Sequence, residues 1–427
     1  MNTILLHPTD VLFFRDGRPM GGASSGQGAA WPLPNVINHA IHAALHRAGF
    51  DGVHKHVPGR SSSTRDFSEE NRESHGRVFG SLTSAGPFPV CTNGVADTWF
   101  FTRPTDADDS GKSVLFPVKP VGASSLPRPL KYAVGNSKAP SKESPKNWWS
   151  EGAWNAYLGK TQNDDLASFK SDSDFADTEH VYGIEISEES GSVVDGQFYS
   201  AHYLRLRPGW GLGVFSEAWD KDLNGDLVKK LLNGSGNQII TGGQQRVCTA
   251  ECQATERLPL PVGATITGTR VKWVLLTPAI FPEINEHKGG WLPSWVDNDG
   301  NVQLLDGPGK NYAQRHKVPA GNPIKAQLVA AITGKPITVT GYALPNSADP
   351  DRQVGGAKST HLAVPAGAVY YFEAASEADA KSLAAALNWH GSNTNPTTIR
   401  NRRSTLMGEK GFGLGVCTNW DFHSANS

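Results

Sequence analysis

Cysteine is scarce in this chain: there are four in 427 residues, Cys91, Cys248, Cys252 and Cys417. They are too few and too scattered for a disulfide framework. The one close pair, Cys248 and Cys252, lacks the second pair that makes a zinc site convincing. A basic excess is lacking as well, since 40 Lys and Arg face 41 Asp and Glu. A free-standing nucleic-acid binder carries clustered positive charge, so any such site here is local or shared with partners. No stretch approaches the roughly 18–20 apolar residues of a membrane span. The opening Met1-Asn-Thr-Ile-Leu-Leu-His-Pro8 has neither the basic start nor the apolar run of a signal peptide. A reduced, cytoplasmic setting without membrane association is expected. There is no G-x-S-x-G, H-E-x-x-H or Walker motif, and neither a cofactor nor a metal site is expected.

Glycine is plentiful, at 46 residues, and four fall within eight positions near the end: Gly408-Glu-Lys-Gly411-Phe-Gly413-Leu-Gly415. Glycine weakens helices and strands and is useful where φ is positive or another backbone approaches closely. The segment follows the basic run Arg400-Asn-Arg402-Arg403. It is not a P-loop, because no Lys-Ser/Thr follows the last glycine. Nor is it a dinucleotide fingerprint, since it follows an expected helix and precedes an expected strand. Two readings stay open: a tight connection packed on a neighbouring strand, or an anion-binding nest of backbone amides.

The length suggests two domains with sizeable insertions. A strand is expected from Ile4, broken by Pro8, and then a Gly/Ser/Ala-rich loop over Gly21–Ala30. Ile37, Ala40, Ile41, Ala44, Leu45 and Ala48 line one helix face, with Asn35 as cap and Gly49 as stop. The polar stretch His54–Arg77 reads as an exposed insertion. Strands are expected within Val78–Val90 and over Thr98–Pro104, a helix over Trp148–Leu158, and a flexible acidic loop over Asp164–Asp177. Val181–Ile186 and Gln197–Leu206 read as a strand pair. After Leu258–Pro261 come strands at Arg270–Thr277 and Val364–Glu373, a helix at Ser376–Asn388 and a last strand at Val416–Trp420. The pattern implies an α+β fold with two related antiparallel sheets.

Other candidates are weaker. His39, His42 and His46 share a helix face opposite the apolar stripe, with no acidic or Cys ligand at suitable spacing. Gly242-Gly-Gln-Gln-Arg246 invites comparison with the Gly-Gly-Asp-Asp of cyclase palms, but both metal-binding carboxylates are absent, so two-metal nucleotidyl chemistry is not supported. The 12 tryptophans serve core packing as readily as base stacking.

A series of motifs in order resembles the third Cmr subunit, a RAMP-superfamily family of type III-B CRISPR effector complexes. They are Asp10-Val-Leu-Phe-Phe-Arg-Asp-Gly-Arg-Pro19, Phe79-Gly-Ser-Leu with Gly86-Pro-Phe, Gly183-Ile-Glu-Ile with Asp195-Gly-Gln-Phe-Tyr199, and Gly242-Gly-Gln-Gln-Arg246. Leu276-Thr-Pro-Ala-Ile-Phe281 with Gly290-Trp-Leu-Pro293, Ala363-Val-Pro-Ala-Gly-Ala-Val-Tyr-Tyr371 and the glycine segment follow. Gln244 departs from the carboxylate that members of the family often carry there.

The resemblance implies two ferredoxin-like (RRM-like) domains with long inserted loops, over 1–258 and 259–427, the second holding the glycine-rich loop. It implies a non-catalytic subunit that binds the 5′ handle of the guide RNA (crRNA). Its expected partners are the large polymerase-like subunit and the backbone RAMP subunit, with target RNA met indirectly. The candidate RNA-binding residues are Arg15, Arg18, Arg400, Arg402, Arg403 and Lys410 with Gly408, Gly411, Gly413 and Gly415, because single-stranded RNA in fixed register needs phosphate clamps. The alternative is a RAMP endoribonuclease processing the guide precursor, for which His39, His42 and His46 are the only clustered general-base candidates.

Overall fold

The computed structural model describes residues 1–14, 25–26, 31–50, 82–93, 96–107, 116–118, 125–135, 145–159, 161, 165–219, 225–234, 236–253, 256–283, 289–309, 313–314, 316–343 and 356–422. Arg15, Arg18, most of the Gly21–Ala30 loop and the whole of His54–Arg77 lie outside the described residues.

The opening strand β1 (Asn2–Pro8) is buried over Thr3–Leu6. Successive side chains of a strand point to opposite faces, and here each face has its own cover. Ile4 and Leu6 pack with Ile37, Ile41 and Leu45 of helix α1 (Pro34–Arg47). Leu5 packs with Val274, Tyr371, Trp389 and Val416 from the end of the chain. The helix begins at Leu33 rather than at the expected cap Asn35, because Pro34 supplies the first helical φ and needs no amide partner there. Asn35 is buried instead.

Next come β2 (Thr83–Cys91), β3 (Thr98–Thr102), β4 (Trp148–Ser150), helix α2 (Glu151–Leu158) and β5 (Phe169–Lys170). They are followed by the hairpin β6 (Ala176–Ile186) and β7 (Val193–Leu206), then β8 (Trp210–Glu217), α3 (Leu227–Leu231), β9 (Asn237–Ile240) and β10 (Val247–Gln253). One antiparallel sheet runs in the order β9-β10-β1-β8-β2-β3-β4-β5.

Two expectations need correction in this half. Trp148–Leu158 is not one helix. Trp148 and Trp149 alternate into opposite cores as a strand, and the Ser150 hydroxyl then accepts from the Ala153 amide at 3.2 Å to start α2. Asp164 lies outside the described residues, and over 165–177 the acidic stretch is ordered structure rather than a flexible loop, with a 3-10 turn at Leu166–Ser168, β5 and a helical turn at Asp172–Phe175. Asp174 accepts from the Ser171 amide at 2.6 Å and Asp172 from the Trp148 indole at 2.6 Å.

The second half holds β11 (Arg270–Leu275), β12 (Ala279–Ile280), β13 (Ala326–Ile332), β14 (Ile337–Val339), β15 (His361–Val364), β16 (Val369–Ala374), helix α4 (Glu377–Leu387) and β17 (Gly415–Asn419). The expected strand Val364–Glu373 is split between two sheets by the turn at Gly367, whose φ is +85°. A Cβ there would lie 2.3 Å from the Arg103 carbonyl of the first half.

An antiparallel sheet β13-β16-β11-β17 carries α4 and presses against the first sheet. The chain is thus mixed α/β with large antiparallel sheets. Both halves interleave their strands alike. In each, the first strand lies between the last and the third, and the second lies outside the third: β10-β1-β8-β2 and β17-β11-β16-β13.

Candidate nucleic-acid interface

The basic run and then the glycine segment come after α4, whose last carbonyls have no helical donor and lie at the negative end of the helix dipole. The basic run turns back to cover them. Asn401 Nδ2 donates to the Ala385 and Asn388 carbonyls at 2.9 and 2.8 Å, and Arg403 Nε to Ala386 at 2.6 Å. Burial pushes the pKa of the Arg403 guanidinium down to about 10. Arg402 is likewise pushed down to about 10 by burial, against the opposing pull of Glu217 and Glu409. Its Nε and Nη2 are buried with no acceptor among the described residues. Arg400 is exposed.

Gly408–Lys410 form a single 3-10 turn. Gly411 and Gly413 take φ of +101° and +77°. A Cβ on Gly411 would lie 2.9 Å from Ala85 Cα, on Gly413 2.0 Å from the Ser404 nitrogen, and on Gly415 2.2 Å from the Trp273 indole nitrogen. Gly411 and Gly413 donate their amides within the chain, to Gly408 at 3.0 Å and Pro278 at 2.7 Å. Close packing therefore accounts for these three glycines, and those two amides serve the chain's own carbonyls.

The same turn brings Lys410 to the histidine face of α1. Its Nζ lies 3.2 Å from His39 Nε2, across 371 residues of sequence. His39 is exposed, yet the protein packed around its ring lowers its pKa, with Lys410, Lys358 and His42 adding to the effect. His42 and His46 meet through their Nε2 atoms at 3.2 Å. Loss of hydration also lowers the Lys410 pKa. His42 and His46 thus form an imidazole pair on the helix face whose His39 meets Lys410, and Lys410 is half-buried while Arg400 is exposed.

A second polar cluster, with its arginines paired to carboxylates, escaped sequence reading. Gln244 and Gln245 stand at φ +54° and +52°, which is uncommon for residues with a side chain. Tyr203 donates to Gln244 at 2.7 Å, and the Arg246 guanidinium lies over the Tyr203 ring at 4.9 Å. Asp10 pairs with Arg205 at 3.0 Å and Arg246 at 3.6 Å. The Val11 amide and then these two arginines hold its carboxyl below the usual range. This patch adjoins Phe14, next to the Arg15–Arg18 stretch. The unusual Gly-Gly-Gln-Gln-Arg sequence was the one signal for it.

Among the described residues no His, Cys, Asp or Glu group could hold a metal ion. The four cysteines are free thiols. No described helix is long and apolar enough to cross a membrane.

A sequence model described as "CRISPR-associated protein (Cas_Cmr3)" matches residues 4–420. No curated protein matches the chain. Among solved structures, a chain of the type III-B Cmr-beta complex bound to cognate target RNA and AMPPnP is 14% identical, with 88% of this chain and 86% of that one covered and a TM-score of 0.40. A chain of Cmr-beta bound to cognate target RNA is 15% identical, covering 86% of each, with a TM-score of 0.39. A chain of the type III-A Csm3–Csm4 subcomplex is 10% identical over 87% of this chain and 92% of that one, with a TM-score of 0.36.

Proposed function

This chain belongs to the Cas_Cmr3 family of CRISPR-associated proteins, and on that premise we propose that it is a non-catalytic subunit of a type III-B effector complex. In this reading it grips the 5′ handle of the guide RNA and bridges the large polymerase-like subunit and the backbone RAMP subunit. Target RNA is reached through the assembled complex. The family match over residues 4–420 carries the reading. The repeated strand interleaving supports two ferredoxin-like domains, over 1–258 and 259–427, because that fold places its four strands in this order.

Within the candidate residues the roles divide. Arg15, Arg18, Arg400 and Lys410 supply phosphate contacts. Arg402, Arg403 and the glycines Gly408, Gly411, Gly413 and Gly415 hold the shape that presents them. Changing Arg15, Arg18, Arg400 and Lys410 together to Ala should lower guide-RNA occupancy of the purified complex. It should also flatten the slope of log affinity against log salt by about 0.7 for each phosphate left without its cation, or about 3 for all four. An unchanged slope would refute the assignment.

The contact between His42 and His46, on the helix face whose His39 meets Lys410, favours one second reading, a guide-processing endoribonuclease. The non-catalytic reading predicts that repeat RNA incubated with the full chain stays intact. Site-specific cleavage that disappears in His42→Ala and His46→Ala would reverse the assignment.

A further inference from the structure

The turn that joins β7 to β8 is fixed from several sides. Pro208 presets its backbone, and Gly209 takes the φ of +78° that the next position requires. The Trp210 amide closes the turn on the Arg207 carbonyl at 3.1 Å. The Thr92 amide donates to Gly209 at 2.8 Å, and the Arg207 amide to Phe175 at 2.9 Å. Facing this turn is the end of β1, and between them lies a cleft of about 360 Å³. His7, Pro8, Arg207, Pro208 and Trp210 are among its walls.

The two arginines that line this cleft are held differently. Arg205 is engaged on both edges of its guanidinium: Nε and Nη2 meet the Glu179 carboxylate, and Nη2 also meets Asp10 at 3.0 Å. Arg207 is engaged on one edge only, with Nε donating to Asp177 Oδ2 at 3.1 Å and Nη2 to Oδ1 at 2.8 Å. Nη1 and the second Nη2 hydrogen form the other edge, which meets no acceptor among the described residues. The side chain is 45% exposed. A planar fork already fixed by a carboxylate loses little entropy when its free edge takes a ligand.

Charge and shape select that ligand. Arg205, Arg207 and Arg246 are matched by Asp10, Asp177 and Glu179, so a phosphate finds no net positive field here. A neutral group with two adjacent acceptors has no such handicap. The O6 and N7 atoms of guanine are the pair that an arginine fork takes in bidentate fashion. Adenine puts a donor where guanine has O6, and the pyrimidines lack the pair. The cleft has room for one base, and the His7, Trp210 and proline surfaces suit its flat faces. Only an unstacked base can enter, which single-stranded RNA supplies.

We propose that the free edge of Arg207 binds one unstacked guanine of an RNA strand in the cleft between β1 and the β7–β8 turn, with Asp177 positioning the guanidinium. That the guanine belongs to RNA rests on the function proposed above; the guanine chemistry does not. Fluorescence anisotropy of the full chain with a labelled adenosine pentamer, with and without a central guanosine, tests this. The guanosine strand should bind about tenfold more tightly. Replacing its guanine with 7-deazaguanine should abolish the preference, whereas hypoxanthine, which keeps O6 and N7, should retain it. Arg207→Lys keeps the charge but not the fork and should also erase the preference. Measurable but equal binding of the two strands overturns the site, as does a preference that survives 7-deazaguanine or Arg207→Lys. Equilibrium dialysis of the full chain against GMP and AMP separates the two claims. Arg207-dependent selection of GMP without binding of either strand upholds the site and overturns the RNA-holding function, and no binding in either assay overturns both.

Discussion

Replacing Gly413 with alanine is expected to remove a large part of the chain's stability. The residue stands at φ +77° and its new Cβ would lie 2.0 Å from the Ser404 nitrogen, a backbone atom with no rotamer to yield. Gly413 is pinned on both sides, donating to Pro278 at 2.7 Å and accepting from the Arg403 amide at 2.8 Å. A side chain forced into the left-handed region costs about 1–3 kcal/mol. Overpacking adds about 1–3 kcal/mol or more. Together they consume a large part of the roughly 5–15 kcal/mol typical of a folded domain. Gly408→Ala is the control, since its Cβ would meet only the Arg402 side chain at 3.3 Å. Thermal unfolding should separate the two variants by well over about 5 °C. Equal melting temperatures would mean that the glycines do not close the fold.

The second large effect is expected at Asp106. Its fully buried carboxylate receives Lys272 Nζ at 2.7 Å, the Tyr371 hydroxyl at 2.8 Å and the Tyr157 hydroxyl at 2.5 Å. Lys272 lies on β11, so the pair fastens the second half of the chain to the first. Burial, and then the Asp106 charge, push both phenols up, which keeps them protonated as donors. Asp106→Asn preserves the shape but leaves the Lys272 ammonium in the core without its counter-charge, and should cost about 3–5 kcal/mol in urea unfolding. The double variant Asp106→Asn with Lys272→Met should recover much of that loss, because the stranded charge is gone. A single variant as stable as the parent would show that the pair contributes nothing to joining the halves.

Local pattern makes several elements legible. The apolar positions Ile37 to Leu45 identify α1, and Ser376 before an alternation of Ala and Leu identifies α4. Both depend on neighbours three or four residues away. Trp148 looks helical in the sequence because its strand character comes from pairing with Thr102, far off along the chain. Gly367 divides an apparent single strand for a similar reason, the approach of the Arg103 carbonyl.

The ordered motifs identify the family without any coordinates, and the family model matches nearly the whole length. The division of labour at the glycine segment is not legible in this way. Arg400, Arg402 and Arg403 look equivalent as text, yet the end of α4 draws Arg403 inward while Arg400 stays exposed. Lys410 meets His39, a partner 371 residues away. Sequence alone determined the family, the main elements and the short-range periodicities behind them. Tertiary structure decided which cations stay hydrated and which glycines are indispensable, because burial and close backbone approach depend on neighbours that no local pattern records.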